Sequence, residues 1–230
     1  MELEQHFVGD CPGREVHVRV LLADDHEIVL KGLRRVLADQ SDWVVCGEAR
    51  NGREAVALAE EQRPDVIVMD ISMPELNGLD ATRKIRKLLP QTEVLILSQH
   101  FSHQLVEEVL EVGARGYMTK SDAARDLVTA VEALASHRTF LTSQASEALV
   151  NRFRMPELGL SRSHVNRLTG REREVVQLLA EGKTSKEVAI GLGISVKTAE
   201  THRANIMRKL NLHSVSELTR YAIQNKIVDI

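Results

Sequence analysis

The stretch Asp65-Val66-Ile67-Val68-Met69-Asp70 decides the fold. Ile67, Val68 and Met69 are apolar without alternation, which is the pattern of a strand buried on both faces. Strands of that kind belong to parallel sheets covered by helices on either side. Outward from it, short runs rich in β-branched residues recur at Val16–Ala23, Trp43–Glu48, Glu93–Ser98 and Gly116–Thr119. Between them, Glu27–Ala38, Asn51–Gln62, Gly78–Leu89, Ser102–Val112 and Ala123–Ala135 space their apolar residues as helices do, for example Leu127, Val131 and Leu134. Each parallel crossover needs a connecting helix, so the predicted architecture is an α/β doubly wound five-stranded parallel sheet over residues 16–136.

Past that point the strand signals stop. A short helix near Ser143–Phe153 and a Pro-, Gly- and Ser-punctuated stretch at Met155–Ser161 read as helix and linker over 137–163. Residues 164–230 read as a small all-α domain with helices at Glu172–Ala180, Lys186–Leu192, Val196–Leu210 and Ser216–Asn225. Residues 1–15 carry no usable pattern and are set aside as an N-terminal extension. The charge divides with the domains. Residues 162–230 hold 12 Lys and Arg against 7 Asp and Glu, whereas residues 1–161 hold 18 against 26, within a chain of net charge -3. A basic tail on an acidic body points to a polyanion partner for the tail.

No run approaches the roughly 20 apolar residues of a membrane span, and Met1-Glu2-Leu3-Glu4 lacks the start of an export signal. The expectation is a cytoplasmic protein with no membrane partner. The two cysteines, Cys11 and Cys46, have no metal-ligand spacing and read as reduced thiols.

In doubly wound sheets, chemistry collects beyond the carboxyl ends of the strands. Asp24 and Asp25 end the first strand, Asp70 the third and Ser98 the fourth, and Lys120 follows the fifth. Three converging carboxylates repel one another unless a cation neutralises them, and hard oxygen ligands favour Mg²⁺. A divalent ion beside an ammonium and a hydroxyl suits a phosphoryl group, with Asp70 as the nucleophile. Two enzyme readings fit less well. A Mg²⁺-dependent phosphohydrolase would carry a second aspartate two residues after the nucleophile, where this chain has Ser72, and a flavin carrier would need a phosphate-cradling loop where Asp24 and Asp25 stand.

In the tail, Thr169-Gly170-Arg171-Glu172 is a capping box, and two helices joined through Gly193 form a helix-turn-helix. The face of Val196–Leu210 opposite Ala199, Ile206 and Leu210 suits DNA. Glu200, Thr201 and Ala204 are expected at base edges, and Lys197, Thr198, Arg203, Arg208 and Lys209 at phosphates.

Leu22-Ala23-Asp24-Asp25-His26, Val68–Gly78, Leu97-Ser98 and Gly113–Lys120 closely resemble the flavodoxin-like receiver domain of bacterial response regulators. Leu168–Val175, Gly182–Ala189 and Gly193–Arg203 resemble the LuxR-type helix-turn-helix, and the pair resembles the NarL/FixJ subfamily. The resemblance implies that Asp24, Asp25, Asp70 and the Ser72 backbone carbonyl hold Mg²⁺, and that Asp70 accepts a phosphoryl group from a cognate sensor histidine kinase. It also implies that Ser98 and Tyr117 form a switch, with Tyr117 turning inward. The output it implies is not an enzyme but regulated, sequence-specific DNA binding as a homodimer, with Val215, Leu218 and Ala222 either at the dimer contact or closing the core. A quorum-sensing regulator with the same DNA-binding domain leaves the strand-end carboxylates unexplained. For coupling, the expectation is that the unphosphorylated receiver covers the recognition helix and that 154–165 permits its release.

Overall fold

The computed structural model describes residues 18–154, 168–225 and 227–228. The N-terminal extension, the two residues expected to open the first strand, the end of the expected linker and the first residues of the expected C-terminal domain, 155–167, lie outside them. Strands β1 (Val18–Ala23), β2 (Trp43–Ala49), β3 (Val66–Asp70), β4 (Glu93–Ser98) and β5 (Gly116–Thr119) alternate with helices α1 (Glu27–Leu37), α2 (Gly52–Gln62), α3 (Gly78–Leu88), α4 (His103–Glu111) and α5 (Ala123–Ala135). All the strand pairings are parallel, in the order β2-β1-β3-β4-β5-β6. The chain runs from β1 outward to β2 and returns on the other side to β3. The order therefore reverses between β1 and β3, and the ends of these two strands flank the natural binding crevice.

The sheet has six strands where five were expected. β6 (Phe140–Leu141) pairs with β5, and α6 (Ser143–Arg154) packs against α4, with Ala145 fully buried among the core residues. The segment read as helix and linker thus begins as part of the sheet. Two residues are too few to show a period of two, so the sequence carried no signal for β6. By pairing with β5 it covers backbone groups that would otherwise line a sheet edge.

Alternation along each strand sorts the receiver core into two layers. Leu21, Ala23, Ile67, Met69, Ile96 and Tyr117 face α2, α3 and α4, whereas Val20, Leu22, Val68, Leu95 and Met118 face α1 and α5. The C-terminal domain has its own core around Val175, Leu179, Val188, Ala199, Ile206 and Leu218, drawn from α7 (Gly170–Ala180), α8 (Ser185–Leu192), α9 (Val196–Leu210) and α10 (Val215–Gln224). Thr169 with Glu172 and Thr184 with Glu187 form capping boxes at the starts of α7 and α8. Gly193, at φ 62°, ends α8 in the left-handed conformation and turns the chain toward α9.

The loop from β3 to α3 is folded tightly. The Gly78 NH donates to the Ile71 carbonyl at 2.8 Å and the Leu76 NH to the Pro74 carbonyl at 2.7 Å. A Cβ added at Gly78 would lie 1.9 Å from the Asp70 carbonyl oxygen, so any side chain there must displace the end of β3. Gly78→Ala is expected to destabilise the receiver by about 2–3 kcal/mol, as overpacking of a filled site does. Urea denaturation checks this, and an unchanged midpoint would show that the loop yields freely.

Candidate functional site

β1 delivers Asp24 and Asp25, β3 ends in Asp70, β4 in Ser98, and the turn after β5 places Lys120, whose NH donates to the Ser98 carbonyl at 2.8 Å. The five residues predicted from strand ends come together at one end of the sheet. The Lys120 ammonium lies 2.7 Å from Asp24 Oδ2 and 3.0 Å from Asp70 Oδ2. Asp24 is fully buried and Asp70 is 3 % exposed, while Asp25 reaches solvent. Asp24 is further held by the His26 NH, which donates to its Oδ1 at 2.9 Å.

Burial pushes the Asp70 carboxyl up to about 6, with the neighbouring Asp24 charge adding to the rise and Lys120 opposing it. For Lys120 burial works against the charged form, and contact with Asp24 and the charge of Asp70 outweigh it, so its pKa stands above the ordinary lysine value. Asp24 Oδ2 and Asp70 Oδ2 are buried without a well-directed hydrogen bond, although both lie within ion-pair reach of the ammonium. Buried carboxylate oxygens with unused acceptor capacity fit a hard divalent cation. Ligand atoms of Asp24, Asp25, His26 and Asp70 all lie within 4.8 Å of one another. His26 was not among the residues singled out from the sequence. It joins the cluster through Nδ1, 2.8 Å from Asp25 Oδ1, and its place directly after the aspartate pair was the available signal.

Ser98 Oγ donates to the His100 carbonyl at 2.7 Å. Tyr117, the other half of the expected switch pair, is already fully buried, its hydroxyl 3.4 Å from the same carbonyl and its ring edge-on to Phe101. Burial raises its hydroxyl pKa. The pair therefore meets at His100, a backbone partner that the sequence did not reveal.

In the C-terminal domain Ser195 caps α9, accepting from the Thr198 NH at 3.0 Å. Ala199 and Ile206 are buried, and Lys197, Thr198, Glu200, Thr201, Ala204 and Arg208 are exposed on α9, with Arg203 half-buried. Lys209 differs from the other expected phosphate contacts, because its ammonium lies 2.7 Å from Glu172 Oε2 and ties α9 to the start of α7. In α10, Leu218 and Ala222 are fully buried in the domain core, leaving only Val215 of the three on the surface.

Among the described residues the receiver does not cover the recognition helix, contrary to expectation. The contact between domains is made by α7: Gln177 Nε2 donates to the Met73 carbonyl at 2.9 Å, and Gln177 Oε1 accepts from the Asn77 NH at 2.8 Å. Occlusion was inferred from function alone, and no residue pattern marks which face of a small helical domain meets its neighbour.

The model of the response regulator receiver domain matches residues 20–132, and that of the bacterial regulatory proteins of the luxR family matches residues 166–222. The oxygen regulatory protein NreC of Staphylococcus epidermidis is 36 % identical over 217 residues, spanning 92 % of this chain and 100 % of its own length. The transcriptional regulatory protein LiaR of Bacillus subtilis is 37 % identical over 212 residues, with the same two coverages. Among solved structures, RcsB of Salmonella typhimurium aligns with a TM-score of 0.61 at 25 % identity, covering 93 % of this chain and 99 % of its own. An RcsB–DNA complex aligns with a TM-score of 0.55 at 27 % identity, covering 89 % and 97 %. With both domains matched in order and relatives aligned along nearly their whole length, the chain belongs to the response regulators of the NarL/FixJ type, transcription regulators that join a receiver to a LuxR-type DNA-binding domain.

Proposed function

We propose that Asp70 is the phosphoacceptor and that its phosphorylation controls binding of α9 to a DNA operator. The observation that carries this reading is the buried Asp70 carboxylate, 3.0 Å from the Lys120 ammonium and beside the fully buried Asp24. The donor is a phosphohistidine of a cognate sensor kinase. An Asp70 oxygen forms the new bond to phosphorus as the phosphorus–nitrogen bond breaks, and the electron pair leaves on the imidazole, which takes up a proton. Asp24, Asp25, Asp70 and the Ser72 carbonyl would hold Mg²⁺, which supplies positive charge against the transferring phosphoryl oxygens. Lys120 contributes a fixed cation there, and Ser98 offers a hydroxyl once released from His100. The chain receives one phosphoryl group and relays it as a change of conformation, with no turnover of an outside substrate. The cytoplasm, where kinase and DNA meet, is its proposed location, and it engages paired half-sites as a homodimer.

Asp70→Asn is expected to abolish labelling by a small acyl phosphate while leaving the fold intact, and labelling at the wild-type level would reassign the acceptor. A stability effect accompanies it. Because the folded-state pKa of Asp70, about 6, lies above the ordinary carboxylate value of 3.8, the folded chain binds this proton more tightly than the unfolded chain. The resulting stabilisation is full at low pH and is lost as pH rises through about 6. Without Mg²⁺ the charged carboxylate then costs on the order of 2–3 kcal/mol at neutral pH, so the Asn variant should be the more stable at pH 7.5 and lose that advantage near pH 4. Urea titrations at the two pH values test this, and a variant less stable than wild type at pH 7.5 contradicts it.

At α9, Thr201→Ala or Glu200→Ala should relax sequence preference at one base position, costing about 1–3 kcal/mol on the preferred site. Lys197→Ala should instead weaken binding to all sequences and reduce the salt slope by about one. Operator binding measured over a salt series separates the two classes. A uniform loss from Thr201→Ala would move that residue from base reading to backbone contact.

A further inference from the structure

Helix α7 and its C-cap residue Glu181 present a polar stripe, Glu174, Gln177 and Glu181, to the receiver. Gln177 is 1 % exposed and Glu174 is 4 % exposed, an unusual depth for such side chains in a small helical domain. Gln177 grips the loop at two points, the Met73 carbonyl and the Asn77 NH. Between them Glu181 Oε1 accepts from the Glu75 NH at 3.1 Å. Glu75 itself sits at φ 66°, a left-handed conformation disfavoured for a residue with a side chain and kept only where the surroundings hold it. One turn back, Glu174 takes the Lys84 ammonium of α3 at 2.8 Å. Three alternate residues of the loop, 73, 75 and 77, therefore have backbone groups bonded by the DNA-binding domain rather than by the receiver.

We propose that Gln177 is a positioning residue for the phosphoacceptor loop, so that docking of the DNA-binding domain through α7 and cation loading of the acidic pocket oppose each other. The proposal rests on the reading of the pocket given under Proposed function. The Ser72 carbonyl, the backbone ligand in that reading, lies one peptide before the Met73 carbonyl that Gln177 holds. The loop is gripped in the same arrangement in which the Lys120 ammonium bridges Asp24 and Asp70. A divalent cation would draw on the same carboxylate oxygens and on the Ser72 carbonyl, and so would bear on the loop that Gln177 holds. Coupling of this kind is reciprocal: whatever loosens the grip tightens the cation, by the same factor that the cation loosens the grip. The switch would work by freeing the whole DNA-binding domain to reorient, because α9 is exposed while α7 is docked.

Isothermal titration of the full chain with Mg²⁺ alone tests this. Gln177→Ala is expected to bind Mg²⁺ about fivefold more tightly or better. Glu174→Gln, which breaks the ion pair to Lys84 with little change of shape, should shift affinity in the same direction. That second variant separates docking from simple electrostatics, since removing a negative charge would by itself weaken a divalent cation. Unchanged or weaker Mg²⁺ binding in both variants overturns the proposal. If the wild-type chain binds no Mg²⁺, or Asp70→Asn binds it equally well, the reading of the pocket falls and this inference falls with it.

Discussion

Two carboxylates buried side by side, Asp24 and Asp70, are bridged by one ammonium from Lys120, and the arrangement of the receiver depends on that contact. Like charges at such separation in a poorly solvated site are costly, and the raised pKa of Asp70 records how incompletely one lysine offsets them. The sheet makes the contact unavoidable. β1 and β3 are neighbours, both run toward the same end, and each finishes in an aspartate. Stability is given up at this spot, and what is retained is an electrostatic preference for positive charge and for a group that can be loaded and released.

The loop after Asp70 leads outward from that contact. It is short, internally hydrogen-bonded, and closed at Gly78 by a contact that admits no side chain. A segment so constrained moves as a unit or not at all, which suits a switch better than a gradual response. The DNA-binding domain is bonded to this loop through Gln177 and Glu181, and Glu174 adds an ion pair to Lys84 of α3. Polar contacts between domains of one chain resemble those of transient rather than permanent interfaces.

The other parts of the molecule divide the labour. Two apolar layers on opposite faces of the sheet hold the strand ends in register. In the tail, the separate core keeps α9 rigid, with Leu218 and Ala222 of α10 serving that core. The exposed side of α10 carries Val215, Ser216, Arg220 and Gln224. The sixth strand covers the β5 edge and α6 lies against α4, so the receiver continues into the segment that leads to the second domain.

Sequence alone determined the parallel sheet, the gathering of Asp24, Asp25, Asp70, Ser98 and Lys120, the capping box at Thr169 and the exposed face of α9. Each follows from a local period or from a residue's place at the end of an element, and neither needs knowledge of what lies opposite. Only the tertiary structure decided the two-residue β6, the meeting of Ser98 and Tyr117 at the His100 carbonyl, the pairing of Lys209 with Glu172, and the docking of α7 on the loop after Asp70. Glu174, Gln177 and Glu181 read along the chain as the solvated side of an amphipathic helix, because polarity and spacing are the same whether the facing partner is water or another domain's backbone. That identity of pattern is the physical reason the interface stayed hidden until the two surfaces were seen together.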